Sequence, residues 1–279
     1  MPLYMRRRLV HWTVMGLSCL ATAFGLLWLV LVLWSLLANG IAAMSPALFL
    51  QMTPAPGSTG GLLNAIVGSL IMTALAAAVG TPAGILAGTF LAEYARGRWF
   101  AGTVRFLNDI LLSAPSIIIG VFIYKAMVAR MGHFSGLAGA MALAVIMVPV
   151  VVRTTEDMLR LVPDTLREAA AALGAPQWKV IVMVAYPAAV QGIATGVLLA
   201  VARIAGETAP LLFTALGNQF WNTDLSRPMA NLPLILYQYA MSPYDNWNQL
   251  AWAGALILTV FVLALNLGVR LLAKKVLGR

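Results

Sequence analysis

Apolar residues along this chain come in long continuous runs separated by short polar stretches. Six runs reach the ~20 residues that a helix needs to cross the hydrocarbon core of a bilayer. They cover roughly 12–37, 62–92, 108–128, 136–155, 186–215 and 249–270. In lipid every backbone polar group has to be satisfied within the segment, so runs of this length are read as helices. The pattern predicts an all-α polytopic membrane protein with six transmembrane helices. Several runs carry helix breakers. The second holds Gly80, Gly84 and Gly88 at i, i+4 and i+8, a stripe that lets another backbone approach closely, with Pro82 between them as an expected kink. Pro115 and Pro149 repeat the device in the third and fourth runs. Ser113 and Ser116 flank Pro115 and are candidates for lining a pathway.

Composition agrees with the pattern. Of 279 residues 61% are hydrophobic and 10% charged, against about 25% charged in a soluble domain. The surrounding partner is therefore membrane lipid. A net charge of +9 would suggest nucleic acid in a soluble protein, but position overrides sign here. Fourteen of the eighteen Lys and Arg fall on one side of the predicted spans, led by Arg6 to Arg8, Arg96 to Arg105, Arg153 to Lys179 and the segment from Arg270 onward. By the positive-inside rule that side is cytoplasmic and both termini lie there. No nucleic-acid role is expected. The first apolar run, Trp12 to Leu37, exceeds the ~7–15 residues of a signal peptide and reads as a span. Cys19 is the single cysteine, and His11 and His133 lack companions at ligand spacing, so neither disulfide, metal nor cofactor is expected. No glycine-rich loop ends in Gly-Lys-Ser or Gly-Lys-Thr, and no Ser–His or paired-Asp set lies in the spans. The chain by itself is read as no enzyme.

The longest cytoplasmic connection runs from Arg153 to Pro187. Pro163 suits a first helical turn, "DTLREAAAAL" has high helix propensity, Gly174 suits a left-handed cap, and Pro176 opens a second helix leading into the fifth span. Ala169 to Ala172 leave a smooth face. Glu168-Ala169-Ala170, then Gly174, Val184 and Pro187, resembles the cytoplasmic loop of bacterial ABC importer permeases. That pattern reads Glu-Ala-Ala, three residues, Gly, nine residues, Ile, any residue, Leu, Pro. Every spacing fits, with Val184 in place of Ile and Tyr186 in place of Leu. The resemblance implies type I permease architecture and a docking contact, Glu168 to Gly174, with a cytoplasmic ATPase.

Arg203 and Glu207 are the charges inside the fifth run, with fifteen uncharged residues before the first and sixteen after the second. A charge at the centre of a span costs about 2.5–3.5 kcal/mol on insertion scales. On a continuous helix Gly192, Gly196, Ala200, Arg203 and Glu207 share one face, the face of small residues that meets other helices. The pair is thus expected to point into protein or a wet cavity, either as a mutual i, i+4 ion pair or as an oxyanion handle. A guanidinium fork matches phosphate oxygens, and a carboxylate can accept the proton that phosphate carries and sulfate lacks. Pro210 is expected to end or bend the helix. "ARIAGETAPLLFTALGNQFW", with "FLAEYA" and "LLSAPSIIIGVF", is similar to the A-type permeases of bacterial phosphate ABC importers.

That likeness implies a subunit of the bacterial inner membrane. It implies as partners a homologous second permease, a cytoplasmic ATPase dimer and a periplasmic phosphate-binding protein. It also implies that Arg203 matches an arginine implicated in transport. Two parts are expected: residues 1–60, a span and periplasmic loop, and 61–279, the permease domain with a coupling segment at 156–187. A proton-coupled secondary anion transporter with Glu207 as carrier, or an ABC permease for another oxyanion, is the competing reading. In the outer loop, Trp221, Tyr237, Tyr239, Tyr244 and Trp247 read as an interfacial belt. Asp224, Arg227 and Asp245 are candidate contacts for the binding protein.

Overall fold

The computed structural model describes residues 3–277, with side chains through residue 268. Its elements are helices: α1 Leu3–Ala42, α2 Ala47–Leu50, α3 Leu63–Thr89, α4 Trp99–Ser113, α5 Ser116–Ile123, α6 Ala129–Met131, α7 Gly136–Arg160, α8 Asp164–Ala172, α9 Gln177–Val180, α10 Tyr186–Ala205, α11 Ala209–Leu212, α12 Leu232–Ala240 and α13 Asp245–Leu277. Of three π-helical turns, Tyr124–Val128 and Ile181–Ala185 join neighbouring helices without a gap, and Phe90–Tyr94 closes α3. Five of these stretches are long and apolar enough to cross a membrane, and α4 with α5–α6 forms a sixth if the bent pair is one span.

The centre is α7. Its N-terminus is capped by Ser135, whose hydroxyl accepts from the Ala138 N–H at 3.1 Å, leaving one fewer orphan donor at the helix start. Ala138, Ala140, Leu143, Met147 and Val151 are fully buried or nearly so. α3 lies parallel to α7, and the glycine stripe makes that contact. A Cβ on Gly84 would lie 2.6 Å from the Val151 Cβ, and one on Gly88 2.8 Å from the Thr155 Cβ. Gly84→Leu should therefore overpack this seam and lower stability by about 1–3 kcal/mol, read as a lower unfolding temperature of the purified protein. α10 runs antiparallel to α7, with Gly192 against Met158 and Gly196 against Thr154. α1 stands apart. Its spanning window has no buried residue, and it meets α13 near Gly40, whose Cβ would lie 2.8 Å from that of Leu256.

The prolines behave differently from one another. Helices run unbroken through Pro82 and Pro149, so the expected kinks are not breaks there. At Pro115 the chain leaves the helix. Ala114 and Pro115 are extended, with ψ 134° and 131°, and α4 and the helical stretch Ser116–Met131 meet at 101°. Proline disfavours the α conformation at the residue before it. The single span with a kink at Pro115 expected at 108–128 is thus two helices meeting at a corner, the first beginning at Trp99. The fifth run is also interrupted. α10 stops at Ala205, Gly206 caps it, and α11 restarts at Ala209. Pro210 has no N–H to give the Gly206 carbonyl and its ring would crowd that carbonyl in a continuous helix.

Candidate functional site

Arg203 sits in the last turn of α10 and is exposed, while its neighbours Ala200 and Ile204 are buried. Gly192 faces Met158 and Gly196 faces Thr154. Carried on turn for turn, that antiparallel register sets Arg203 level with Met147, near the middle of α7. An exposed guanidinium at that depth cannot rest in hydrocarbon. Glu207 lies beyond the helix end, half-buried, its N–H bonded to the Ile204 carbonyl at 3.2 Å. The expectation of one continuous helical face carrying both charges is therefore corrected. Among the described ion pairs none joins Arg203 to Glu207, because the helix that would hold them at i, i+4 ends between them.

The two broken helices meet. A Cβ on Gly120 would lie 2.6 Å from the Pro210 Cα, so α5 and α11 touch backbone to backbone. The breaks at 114–115 and 206–208 are each within about 8 Å of chain from that contact, at 1.5 Å rise per residue. Ser113 is exposed and spends its hydroxyl on its own helix, donating to the Asp109 carbonyl at 2.7 Å. Ser116 is half-buried and opens α5, where the first backbone N–H groups have no intrahelical acceptor. Arg203, Glu207 and Ser116 thus lie on segments flanking the α5–α11 contact, and no described ion pair joins them. Such groups can take an oxyanion out of water.

At the C-terminal end of α7 the predicted elbow forms, with one shift: Pro163 is the residue before α8, not within it. Gly174 has φ +80°, a conformation in which any other residue is strained. Its N–H bonds the Ala171 carbonyl and that of Ala175 bonds the Ala170 carbonyl, at 2.9 and 3.3 Å. Glu168 and Ala169 are exposed, Ala170 is half-buried, and Leu173 is 90% exposed. This is an apolar tip with no cover from its own chain. What holds the elbow lies far from it in the chain. Arg167 grips Glu93 with two prongs, Nη2 to Oε1 at 2.7 Å and Nε to Oε2 at 3.2 Å. Arg96 donates to Asp164 at 2.8 Å. That hydrogen bond holds the Asp164 carboxyl below its ordinary value of 3.8, so the contact persists through neutral pH and is lost as pH falls through the lowered value. Deeper in, Glu156 is 3% exposed and takes Arg105 at 2.6 Å and Arg160 at 2.7 Å. Arg160 at i+4 was legible in the sequence. Arg105 and Glu93, 51 and 74 residues from their partners, were not.

The outer loop corrects the belt reading in part. Tyr239 is buried, stacks on Trp247 at 4.4 Å, and Tyr244 meets the same indole edge-on at 5.5 Å. Burial pushes the Tyr239 hydroxyl up to about 12. Trp221 and Tyr237 stay exposed. Asp224 and Arg227 pair with each other at 3.4 Å on the surface, and Asp245 opens α13. Among the described residues no cluster of metal-ligating side chains occurs.

The chain belongs to the family of binding-protein-dependent transport system inner membrane components, whose description matches residues 80–278. It is thus the permease component of an ABC importer and a multi-pass inner-membrane protein, with ATP hydrolysis in a separate subunit. Within that family it is 58% identical to the phosphate transport system permease protein PstA of Pasteurella multocida, over 95% of each chain. To the PstA of Haemophilus influenzae it is 59% identical over 92% of each, and to that of Yersinia pestis 56% over 96% of this chain and 92% of that one. Among solved structures, a bacterial alginate ABC transporter in complex with its pentasaccharide-bound periplasmic protein aligns with TM-score 0.69 at 12% identity, over 99% of this chain and 98% of that one. The inward-facing MetNI methionine ABC transporter aligns with TM-score 0.63 at 22% identity, over 77% of this chain and 95% of that one. At these identities the two structures speak for the fold.

Proposed function

We propose that this chain is the transmembrane permease subunit of an ATP-driven importer of inorganic phosphate. It forms half of the translocation pathway with a homologous second permease. It couples to a cytoplasmic ATPase dimer through Glu168, Ala169, Ala170 and Gly174, within a coupling segment at 156–187, and receives phosphate from a periplasmic binding protein. Both termini lie in the cytoplasm, and the span and loop of residues 1–60 precede the permease domain of 61–279. The carrying observation is the exposed guanidinium of Arg203 at mid-depth. An isolated chain would present it to lipid, so a second permease must complete a wet pathway around it. Similarity at more than half identity to phosphate permeases names the oxyanion.

In the pathway Arg203 takes phosphate oxygens in its fork, and Glu207 accepts the phosphate hydroxyl proton in a hydrogen bond. Sulfate near neutral pH offers no such proton and meets repulsion instead. Ser116 and the start of α5 supply neutral donors nearby. ATPase closure displaces the elbow, and α10, covalently continuous with it through the π-helical turn Ile181–Ala185, carries Arg203 between outward and inward access. The test is reconstitution of the four kinds of subunit in liposomes. Labelled phosphate should enter with ATP and not without it, vanadate should stop entry, an uncoupler should not, and sulfate should be excluded. Uptake that survives vanadate and collapses with the uncoupler would sink the reading.

A further inference from the structure

Helix α8 has no buried residue. A helix that receives a push from a motor yet sinks no apolar side chain into its own subunit needs another anchor. The anchor is Arg167, whose side chain is 12% exposed, and Glu93, which is 5% exposed. Besides its two contacts with Glu93, the guanidinium donates to the Leu159 carbonyl at 2.7 Å and to the Val162 carbonyl. It therefore also fastens the end of α7 and the turn before α8. The other face of Glu93 is used as well. Its backbone carbonyl accepts from Gln177 Nε2 at 3.0 Å, and Gln177 opens α9. One residue thus holds the helix before the elbow by its side chain and the helix after it by its main chain.

Glu93 sits in the π-helical turn Phe90–Tyr94 that closes α3. A π turn widens a helix by one residue and re-aims the side chain there. From that turn α3 continues into the glycine seam against α7. We infer that Arg167 and Glu93 are positioning residues of the transport cycle. They form the stiff link through which displacement of α8 reaches α3, which sequence connectivity alone would not move with it. A bidentate guanidinium–carboxylate pair resists rotation as well as separation. Packed helices pass on small shifts because their interfaces are not continuously deformable. This inference rests on the importer reading above.

The test uses the whole transporter in liposomes and compares ATP hydrolysis with and without phosphate-loaded binding protein. Arg167→Met should bring the stimulated-to-basal ratio close to one and lower phosphate uptake by at least about fivefold, the low end of usual coupling factors. Arg167→Lys keeps the charge without the fork and should fall between. Glu93→Gln should match Arg167→Met, and the double variant should be no worse than either, as for two halves of one contact. A chain with Glu93→Cys and Arg167→Cys, bridged by a short bismaleimide, should regain stimulation, which a merely structural role does not predict. A normal ratio in Arg167→Met or in Arg167→Lys with Glu93→Gln, or no recovery on bridging, overturns the link while leaving the importer reading in place. An unsubstituted complex whose ATPase ignores phosphate-loaded binding protein sinks that reading and the link together.

Discussion

Arg203→Ala is expected to lower ATP-driven phosphate uptake by about 10- to 150-fold, the rate equivalent of a charge-assisted contact worth about 1.5–3 kcal/mol. Assembly should survive, because Arg203 is exposed on its own chain and has no described ion pair within it. The measurement is labelled phosphate uptake in liposomes, with copurification of the partner subunits as the assembly control. Arg203→Lys should recover part of the rate, since an ammonium supplies charge without the planar fork. Glu207→Gln should act on selectivity instead. It removes the charge that repels sulfate and should let sulfate compete for entry. Wild-type uptake in Arg203→Ala would remove the residue from the pathway, and sulfate still excluded by Glu207→Gln would remove the proton argument.

Glu156→Ala should be the most destabilising single change at the elbow end of α7. Its carboxylate is buried and serves two guanidiniums, Arg105 from α4 and Arg160 from its own helix. Removing it leaves Arg105, only about a quarter exposed, beside the Leu91 carbonyl with no counter-charge. Breaking a buried pair by deleting one partner costs about 3–5 kcal/mol. Partial exposure of both arginines screens some of that, so the expected loss is about 2–4 kcal/mol. Thermal unfolding of the purified protein reads it. Replacing Arg160 alone should cost less, because it is nearly half exposed and Arg105 still satisfies the carboxylate. Equal losses for Arg160→Ala and Glu156→Ala would show that the pair with Arg105 contributes little.

The contrast between the prolines shows where sequence reading reaches its edge. Pro82, Pro115 and Pro149 sit in similar apolar runs, and each was expected to kink. The helix continues through Pro82 and Pro149, whereas at Pro115 the chain leaves the helix and turns by 101°. A local pattern states what a residue prefers, and packing decides whether the preference is expressed. The same holds for Arg203 and Glu207. Their spacing is that of a helical pair only if Gly206 is helical, and Pro210 makes it cheaper for the helix to end there.

Run length and the Glu-Ala-Ala to Pro187 spacing determined the class of protein, its long apolar helices and the elbow with its Gly174 cap. These are properties of neighbours in the chain, governed by hydropathy and local conformational preference. The glycine stripe also announced a close helix contact, though not with which helix. Tertiary structure alone chose α7 as that partner and set Gly120 of α5 against Pro210 of α11. It also joined Glu93 to Arg167 and Arg105 to Glu156 across 74 and 51 residues. Ion pairs and backbone contacts over such separations depend on three-dimensional register, which no one-dimensional period encodes.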